Sequence, residues 1–169
     1  TRLPVRTRRT LDTASSAPWF PIVGVLIGAS VGGVAAALEP WASPTVAAAC
    51  AIALGLLVTG CFHEDGLADI ADAFMGGWTR DDRLRILKDP RHGTYGVTAI
   101  VASITLRVAA LGALVSSGPT VAFVGAVSAH AIARSAAVST MLVATPATGE
   151  GLGADYVTRL RRGASVIGI

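Results

Sequence analysis

The sequence has 169 residues, of which 52% are hydrophobic and only 15% are charged, and its mean hydropathy is +0.60. A soluble domain carries about 25% charged residues, so this composition excludes an ordinary soluble fold. It also excludes a collagenous or disordered chain, because the 19 Gly and 8 Pro follow no triplet period and the apolar content is too high. The composition therefore indicates a membrane protein.

Four apolar segments predict an all-α, polytopic transmembrane helical bundle with about four spans. The segments lie near residues 22–38, 45–62, 97–115 and 121–144, and a helix that crosses a bilayer needs about 20 such residues. Proline, glycine and serine residues mark the turn within each pair of segments. A secretory signal is a weaker interpretation of the first segment, because the segment is longer than a signal core and further spans follow it.

The basic residues fall on one side of the predicted membrane. They lie before the first span, between the second and third spans, and after the fourth, whereas the other two connections carry no Lys or Arg. These basic residues are Arg2, Arg6, Arg8, Arg9, Arg80, Arg83, Arg85, Lys88, Arg91, Arg159, Arg161 and Arg162. Because such residues normally stay in the cytoplasm, we expect both termini and the central loop there. The net charge of +3 then needs no nucleic acid, since it is explained by this topology and by attraction to an anionic lipid bilayer.

Gly24, Gly28 and Gly32 recur at intervals of four residues in the first span. This spacing places three positions without side chains on one stripe of a helix. It predicts a surface that another helix can approach closely.

The central loop, residues 63–96, holds seven of the eleven acidic residues. A helix over residues 63–74 would place Asp65, Asp69 and Asp72 within an arc of about 60°. Such like charges repel, and Mg²⁺, which prefers oxygen ligands and bridges carboxylates to phosphates, is the candidate compensating ion. The alternative is a solvated acidic face neutralised by neighbouring arginines. We favour the functional interpretation because the stripe continues directly from a membrane span.

Two further features lie in the central loop. Thr79 and Asp82 have the spacing of a capping box, which predicts a short amphipathic cytoplasmic helix over residues 80–88. The loop that follows, residues 88–96, has the sequence KDPRHGTYG. Its Lys88 and Arg91 could hold phosphate oxygens, and Asp89 could join the metal or take a proton.

Arg107 and Arg134 lie within the third and fourth predicted spans, where a guanidinium is costly unless it finds a partner. Either could bind an anion in a cavity open to the cytoplasm or pair with another helix, and Arg134 is the better candidate for phosphate. His130 is interpreted as a hydrogen-bonded interior histidine.

Five segments carry a family resemblance. They are TRLPV at 1–5, FPIVG at 20–24, HEDGLAD at 63–69 with Asp72 after it, KDPRHGTYG at 88–96, and EGLG at 150–153. In order and spacing these segments resemble the cobalamin synthase family, whose full name is adenosylcobinamide-GDP ribazoletransferase.

The resemblance implies a Mg²⁺-dependent multi-pass enzyme of the bacterial cytoplasmic (inner) membrane. It implies transfer of the adenosylcobinamide-phosphate moiety of adenosylcobinamide-GDP to α-ribazole or its 5′-phosphate, with release of GMP, in the last stage of cobalamin (vitamin B12) biosynthesis. A homo-oligomer is compatible with it.

The resulting hypothesis divides the site residues into three sets. The predicted metal ligands are Asp65, Asp69, Asp72 and Glu64, with Asp89 as a further ligand. The predicted phosphate-binding residues are Lys88, Arg91 and Arg134. The predicted catalytic residues are His63, Asp65, Asp69 and Asp89, with His63 or a carboxylate accepting the hydroxyl proton.

We expect residues 1–169 to form a single membrane domain that is a fragment of a longer chain, because members of this family have further helices. Two other functions stay open. A CDP-alcohol phosphotransferase would have Ala-Arg where this chain has Asp69 and Ile70. A small non-enzymatic membrane transporter would place polar residues at matching depth in several spans, and only the third and fourth spans have any.

Overall fold

The computed structural model describes residues 16–149 and 151–167, with side chains for all of these except residue 152 and residues 161–167. Predictions that concern residues 1–15, Glu150 and the side chains of Arg161 and Arg162 lie outside the described residues. Within the described ranges the chain forms seven α-helices and no strand, which confirms the all-α fold. The helices are α1 (Phe20–Leu38), α2 (Pro44–Thr59), α3 (Phe62–Gly76), α4 (Arg80–Ile86), α5 (Thr94–Ser116), α6 (Pro119–Val143) and α7 (Leu152–Ile167).

Four helices coincide with the four predicted spans. By length and composition α1, α5 and α6 can each cross a membrane. With 16 residues, α2 is about 24 Å long, shorter than the hydrocarbon core of about 30 Å. It passes the same test only together with α3, which follows at a bend of 89°. The described chain therefore has three helices that can span a membrane, or four if the bent pair is one span, as expected of a multi-pass membrane protein.

The glycine stripe of α1 packs against α6. Gly24, Gly28 and Gly32 are buried, and a Cβ added at Gly28 would lie 2.7 Å from the Cα of Val127. Only a residue without a side chain allows this approach, so the predicted packing role of the stripe is confirmed.

The buried core between α1, α2, α5 and α6 consists largely of small residues. Ala35, Ala48 and Ala51 are fully buried, and Val31 and Val115 are the largest side chains among the described residues that are excluded from solvent. Large apolar side chains point outward instead, as Leu57 does with 78% of its surface exposed. An inside made of small residues and an outside of large apolar ones suits helices packed in lipid.

The Thr79 cap forms as predicted. The Thr79 hydroxyl accepts a hydrogen bond from the Asp82 backbone N–H at 3.1 Å and donates one to the Asp82 carboxylate at 2.8 Å. The helix that it starts, α4, ends at Ile86, two residues earlier than expected, and none of its residues is buried.

Sequence patterning did not predict α7, which packs against α6. Its Tyr156 hydroxyl lies 2.9 Å from the Ser16 hydroxyl, and its ring stands edge-on to Phe20 with centroids 5.6 Å apart. These contacts join α7 to the start of α1.

Candidate active site

The direction of α3 is set by a sharp turn at its start. Gly60 and Cys61 both have left-handed backbone conformations, with φ of 66° and 56°. Two such residues in succession turn the chain through nearly a right angle after α2. As a result α3 runs nearly perpendicular to α2 and packs against α5.

The helix over residues 63–74 is confirmed, since α3 covers all of them. Asp65, Asp69 and Asp72 therefore share one side of α3, and the side chains of Leu67, Ile70 and Phe74 on the other side are exposed. The three carboxylates nevertheless have different surroundings.

Asp72 is buried and joins α3 to the start of α5. Its Oδ2 accepts a hydrogen bond from the Gly93 backbone N–H at 2.6 Å, and its Oδ1 accepts one from the Gly96 backbone N–H at 2.9 Å. Gly93 is the N-cap of α5 and has no side chain that could accept a hydrogen bond from the first turn of the helix. Asp72 therefore caps α5 from a neighbouring helix, where a negative charge also suits the helix dipole.

Asp65 and Asp69 form an open acidic face together with His92. His92 Nε2 lies 3.7 Å from Asp65 Oδ1, and His92 Nδ1 lies 3.8 Å from Asp69 Oδ1. The Asp65 side chain is 66% exposed and that of Asp69 is 30% exposed. This trio is called the acidic face below.

The two carboxylates of the acidic face are of the ligand type that Mg²⁺ prefers. Mg²⁺ is commonly held by one or two carboxylates plus phosphate oxygens and water, and Asp65 and Asp69 are two carboxylates one helical turn apart. Asp72 differs from them, because both of its oxygens already accept backbone hydrogen bonds. Throughout residues 16–149 and 151–167, no group of three or more His, Cys, Asp or Glu is placed to hold a metal ion.

Glu64 points away from the acidic face, into the helical bundle. Its Oε1 lies 2.9 Å from Arg107 Nη1 of α5, and the Glu64 side chain is only 9% exposed. Glu64 Oε2 and Arg107 Nη2 are both buried without a hydrogen-bond partner in the described structure. The structure thus separates Glu64 from the predicted metal ligands Asp65, Asp69 and Asp72.

A cavity of about 430 Å³ opens beside this ion pair, and it is called the charged cavity below. Its polar lining consists of Thr59, His63, Glu64, Arg107, His130 and Arg134. Arg134 Nη1 lies 3.1 Å from His130 Nδ1 and donates a hydrogen bond to the His130 carbonyl at 3.3 Å. His130 is therefore a hydrogen-bonded histidine, as expected, and it also lines the charged cavity.

The other predicted phosphate-binding residues lie elsewhere. Arg91 binds Asp89 through two hydrogen bonds, Nε to Oδ1 at 2.9 Å and Nη2 to Oδ2 at 2.7 Å, on the exposed loop. These bonds lower the pKa of Asp89 to about 2. Lys88 lines a second hollow with α6 and residues 144–148. The structure thus leaves Arg134 as the predicted phosphate ligand that lies in the charged cavity.

Sequence reasoning assigned no role to His92 and no partner to Arg107. His92 belongs to the KDPRHGTYG segment, so its place in that segment was the available signal. The pairing of Arg107 with Glu64 had a weaker signal, because each residue is a charge next to or within a predicted span and needs a partner.

Comparison with known proteins identifies a matching family and several relatives of this chain. The family model of cobalamin-5-phosphate synthase matches residues 1–169. An adenosylcobinamide-GDP ribazoletransferase of Ralstonia nicotianae is 43% identical over 142 residues, which cover 80% of this chain and 53% of the relative. Relatives with the same name are 40% identical in Ralstonia pickettii, with 95% and 64% covered, and 40% identical in Shewanella halifaxensis, with 72% and 47% covered. No solved structure matches the chain.

The chain thus spans less than two thirds of the length of these curated relatives. The match to the family model nevertheless runs from the first residue of the sequence to the last. The chain therefore belongs to the cobalamin-5-phosphate synthase family.

Proposed function

We propose that this protein is an adenosylcobinamide-GDP ribazoletransferase. It transfers the adenosylcobinamide-phosphate moiety of adenosylcobinamide-GDP to α-ribazole or α-ribazole 5′-phosphate and releases GMP, in the last stage of cobalamin biosynthesis. Membership of the family and the names of the relatives support this reaction. The structural observation that carries the proposal is that one helix, α3, presents an open acidic face on one side and lines a charged cavity with its first turn.

The reaction makes definite demands on the site. A ribose hydroxyl of the acceptor attacks the phosphorus on the cobinamide side of the diphosphate. A new P–O bond forms, the bond to the bridging oxygen breaks, GMP leaves with that oxygen, and the hydroxyl proton passes to a base. Negative charge gathers at the diphosphate during these events, so cationic groups must neutralise it.

Asp65 and Asp69 are the residues that would hold Mg²⁺ in this proposal. When bound, the ion supplies positive charge to the diphosphate and favours departure of GMP. In the free site His92 lies within 4 Å of both carboxylates. Asp72 would keep α3 in place against α5 and would not act as a ligand.

His63 is the proposed proton acceptor. It lines the charged cavity one residue before Glu64, and a neutral imidazole near pH 7 can take a proton from a hydroxyl. Asp89 suits this role less well, because its pKa of about 2 makes it a weak base.

We also propose that the protein lies in the bacterial cytoplasmic membrane with the loop of residues 77–93 in the cytoplasm. This loop carries Arg80, Arg83, Arg85, Lys88 and Arg91. The turns between α1 and α2 and between α5 and α6 carry no Lys or Arg, as the positive-inside rule requires for the opposite side.

The test is release of GMP from labelled adenosylcobinamide-GDP by membranes that contain the protein, with α-ribazole or its phosphate as acceptor. GMP release that depends on both the acceptor and Mg²⁺ is expected, and membranes without the protein are the control. A CDP-alcohol phosphotransferase would instead release CMP from a CDP-alcohol, and a transporter would release no nucleotide from either donor. Either of those results would overturn the proposal.

A further inference from the structure

We infer that α3 lies along the surface of the membrane, with one side in contact with the lipid of the nearer leaflet. That side consists of Leu67, Ile70 and Phe74, and it is called the apolar face below. All three side chains are exposed at the surface of the described structure. In the proposed topology the leaflet is the cytoplasmic one, because α3 leads into the loop that carries the basic residues. This placement is independent of the reaction proposed above.

The direction of α3 suits a helix that lies in the plane of a membrane. α2 packs against α1 and α5, two helices that can span a membrane, and α3 is bent by 89° relative to α2. A helix perpendicular to the bundle runs roughly parallel to the membrane surface. The hydrogen bonds between α3 and α5 lie at Gly93 and Gly96, in the cap and first turn of α5. That is the level at which a spanning helix leaves the bilayer.

The distribution of side chains around α3 fits the same placement. At about 100° per residue, the centre of the apolar face and the centre of the stripe of Asp65, Asp69 and Asp72 lie about 165° apart. Ala68, which is buried against Gly96 of α5, lies on the flank between them. α3 can therefore rest with its apolar face in lipid and its carboxylates towards water. A continuation of α2 straight through the bilayer would instead bring these carboxylates into hydrocarbon, which is costly.

The end of α3 has the residue types of a membrane interface. Trp78, two residues after the helix, is 92% exposed. Tryptophan concentrates at the level of the lipid headgroups, because its ring is apolar and its N–H is polar. The Arg83 guanidinium lies over the Phe74 ring, 5.0 Å from its centroid, and Arg83 Nε donates a hydrogen bond to the Gly77 carbonyl at 3.0 Å. A cation held at the edge of the apolar face suits the anionic surface of a cytoplasmic leaflet.

Lipid suits the apolar face better than another protein helix does. Where helices of this protein pack closely, the contact consists of small residues, as in the glycine stripe of α1 that is buried against α6. The apolar face carries large side chains instead, and Phe74 is 61% exposed. In this respect it resembles the outer surface of the bundle, to which Leu57 belongs. The apolar face thus continues the surface that the bundle presents to lipid.

Tryptophan fluorescence in vesicles of phosphatidylethanolamine and phosphatidylglycerol tests this placement. The three native tryptophans are first replaced by phenylalanine, and one tryptophan is then introduced at a time. Phe74→Trp reports on the apolar face, and Asp65→Trp is the matched control, because it is similarly exposed on the opposite side of the same helix. Lipid brominated on its acyl chains should quench the Phe74→Trp protein several times more strongly than the Asp65→Trp protein. Iodide in the aqueous phase should quench the two proteins in the reverse order.

Three results would overturn the inference. Equal quenching of the two proteins by iodide would place the apolar face in water. Protection of the Phe74→Trp protein from both quenchers would show that a second copy of this chain or another protein covers the face. Equal quenching by brominated lipid would place the whole of α3 inside the bilayer.

Neither quencher requires release of GMP, so a failure of the proposed function is a separate result. If the Phe74→Trp protein does not elute as a folded species in size-exclusion chromatography, Ile70→Trp provides the same comparison. Ile70 belongs to the same face and is also exposed.

Discussion

The Asp72 carboxylate accepts a hydrogen bond of 2.9 Å from the backbone N–H of Gly96, and this contact joins the acidic helix to a membrane-spanning helix. A side chain at position 96 would disturb it, because an added Cβ would meet the Asp72 carboxylate and would lie 2.9 Å from the Ala68 carbonyl oxygen. The tightness of this junction explains a glycine in the fourth position after His92.

Gly96→Ala should therefore destabilise the protein. Overpacking of this kind costs about 1–3 kcal/mol, and the lost cap adds to it. The measurement is the thermal unfolding midpoint of the detergent-solubilised protein. Gly66→Ala is the control, because Gly66 lies in α3 with nothing within 4 Å of its added Cβ. It should leave the midpoint unchanged or raise it, since alanine favours a helix. Equal loss in both variants would contradict the close packing of α3 on α5.

Asp69 and Asp72 lie one turn apart on α3 but should respond differently to the same substitution. Asp72→Asn replaces one acceptor with an amide donor facing a backbone N–H, so it should lower stability by about 1–3 kcal/mol. Asp69→Asn should leave the unfolding midpoint unchanged and abolish Mg²⁺-dependent release of GMP. Both quantities are measured on the same purified samples. Full activity of Asp69→Asn would show that Asp69 is not a ligand of the proposed magnesium site.

The helices could be predicted from the sequence because the signal for them is local. Largely apolar runs define α1, α2, α5 and α6, although Arg107 interrupts α5 and His130 and Arg134 interrupt α6. The spacing of Gly24, Gly28 and Gly32 indicates a packing surface. The bend before α3 could not be predicted in the same way. The bend depends on a left-handed backbone conformation at Cys61, which residues other than glycine rarely adopt. A cysteine at this position of the sequence does not indicate such a conformation.

Only the part of the site that depends on the period of the α-helix could be predicted from the sequence. Spacing places Asp65, Asp69 and Asp72 on one stripe, and the structure has the helix that this requires. The partner of each carboxylate depends on how the loop before α5 packs against α3. This packing belongs to the tertiary structure, which the spacing of residues does not determine. His92 and Gly96 reach α3 from this loop and helix, so their partners could not be read from either segment alone.

The ion pair between Glu64 and Arg107 should be detectable as coupling between two substitutions. Arg107→Gln leaves a buried carboxylate without its cation, and breaking such a pair costs about 3–5 kcal/mol. Glu64→Gln in the same protein removes that stranded charge, so the double variant should be more stable than Arg107→Gln alone. Unfolding midpoints of the two single variants and the double variant give the coupling. Additive losses would mean that the two side chains do not interact.

The contact between α1 and α6 should tolerate no side chain on the glycine stripe. In Gly28→Ala the new Cβ would lie 2.7 Å from the Val127 Cα and 2.8 Å from the Ala126 carbonyl oxygen, so the two helices must move apart. We expect a loss of about 1–3 kcal/mol. Gly33→Ala, in the same helix but with nothing within 4 Å, should not reduce stability. Comparable losses for the two variants would place the contact surface elsewhere on α1.

Asp89 should contribute nothing to the pH dependence of activity near neutrality. Hydrogen bonds from the Arg91 side chain and backbone lower its pKa from 3.8 to about 2. Because the folded pKa lies below the ordinary value, the stabilising effect is complete above pH 3.8 and is lost only as the pH falls through about 2. Asp89 is thus ionised throughout the usual assay range, and Asp89→Asn should lower activity by the same factor at every pH between about 5 and 9. The pH–rate profiles of the variant and the wild type test this. A shift of the acidic limb in Asp89→Asn would show that Asp89 takes up the proton, in place of His63.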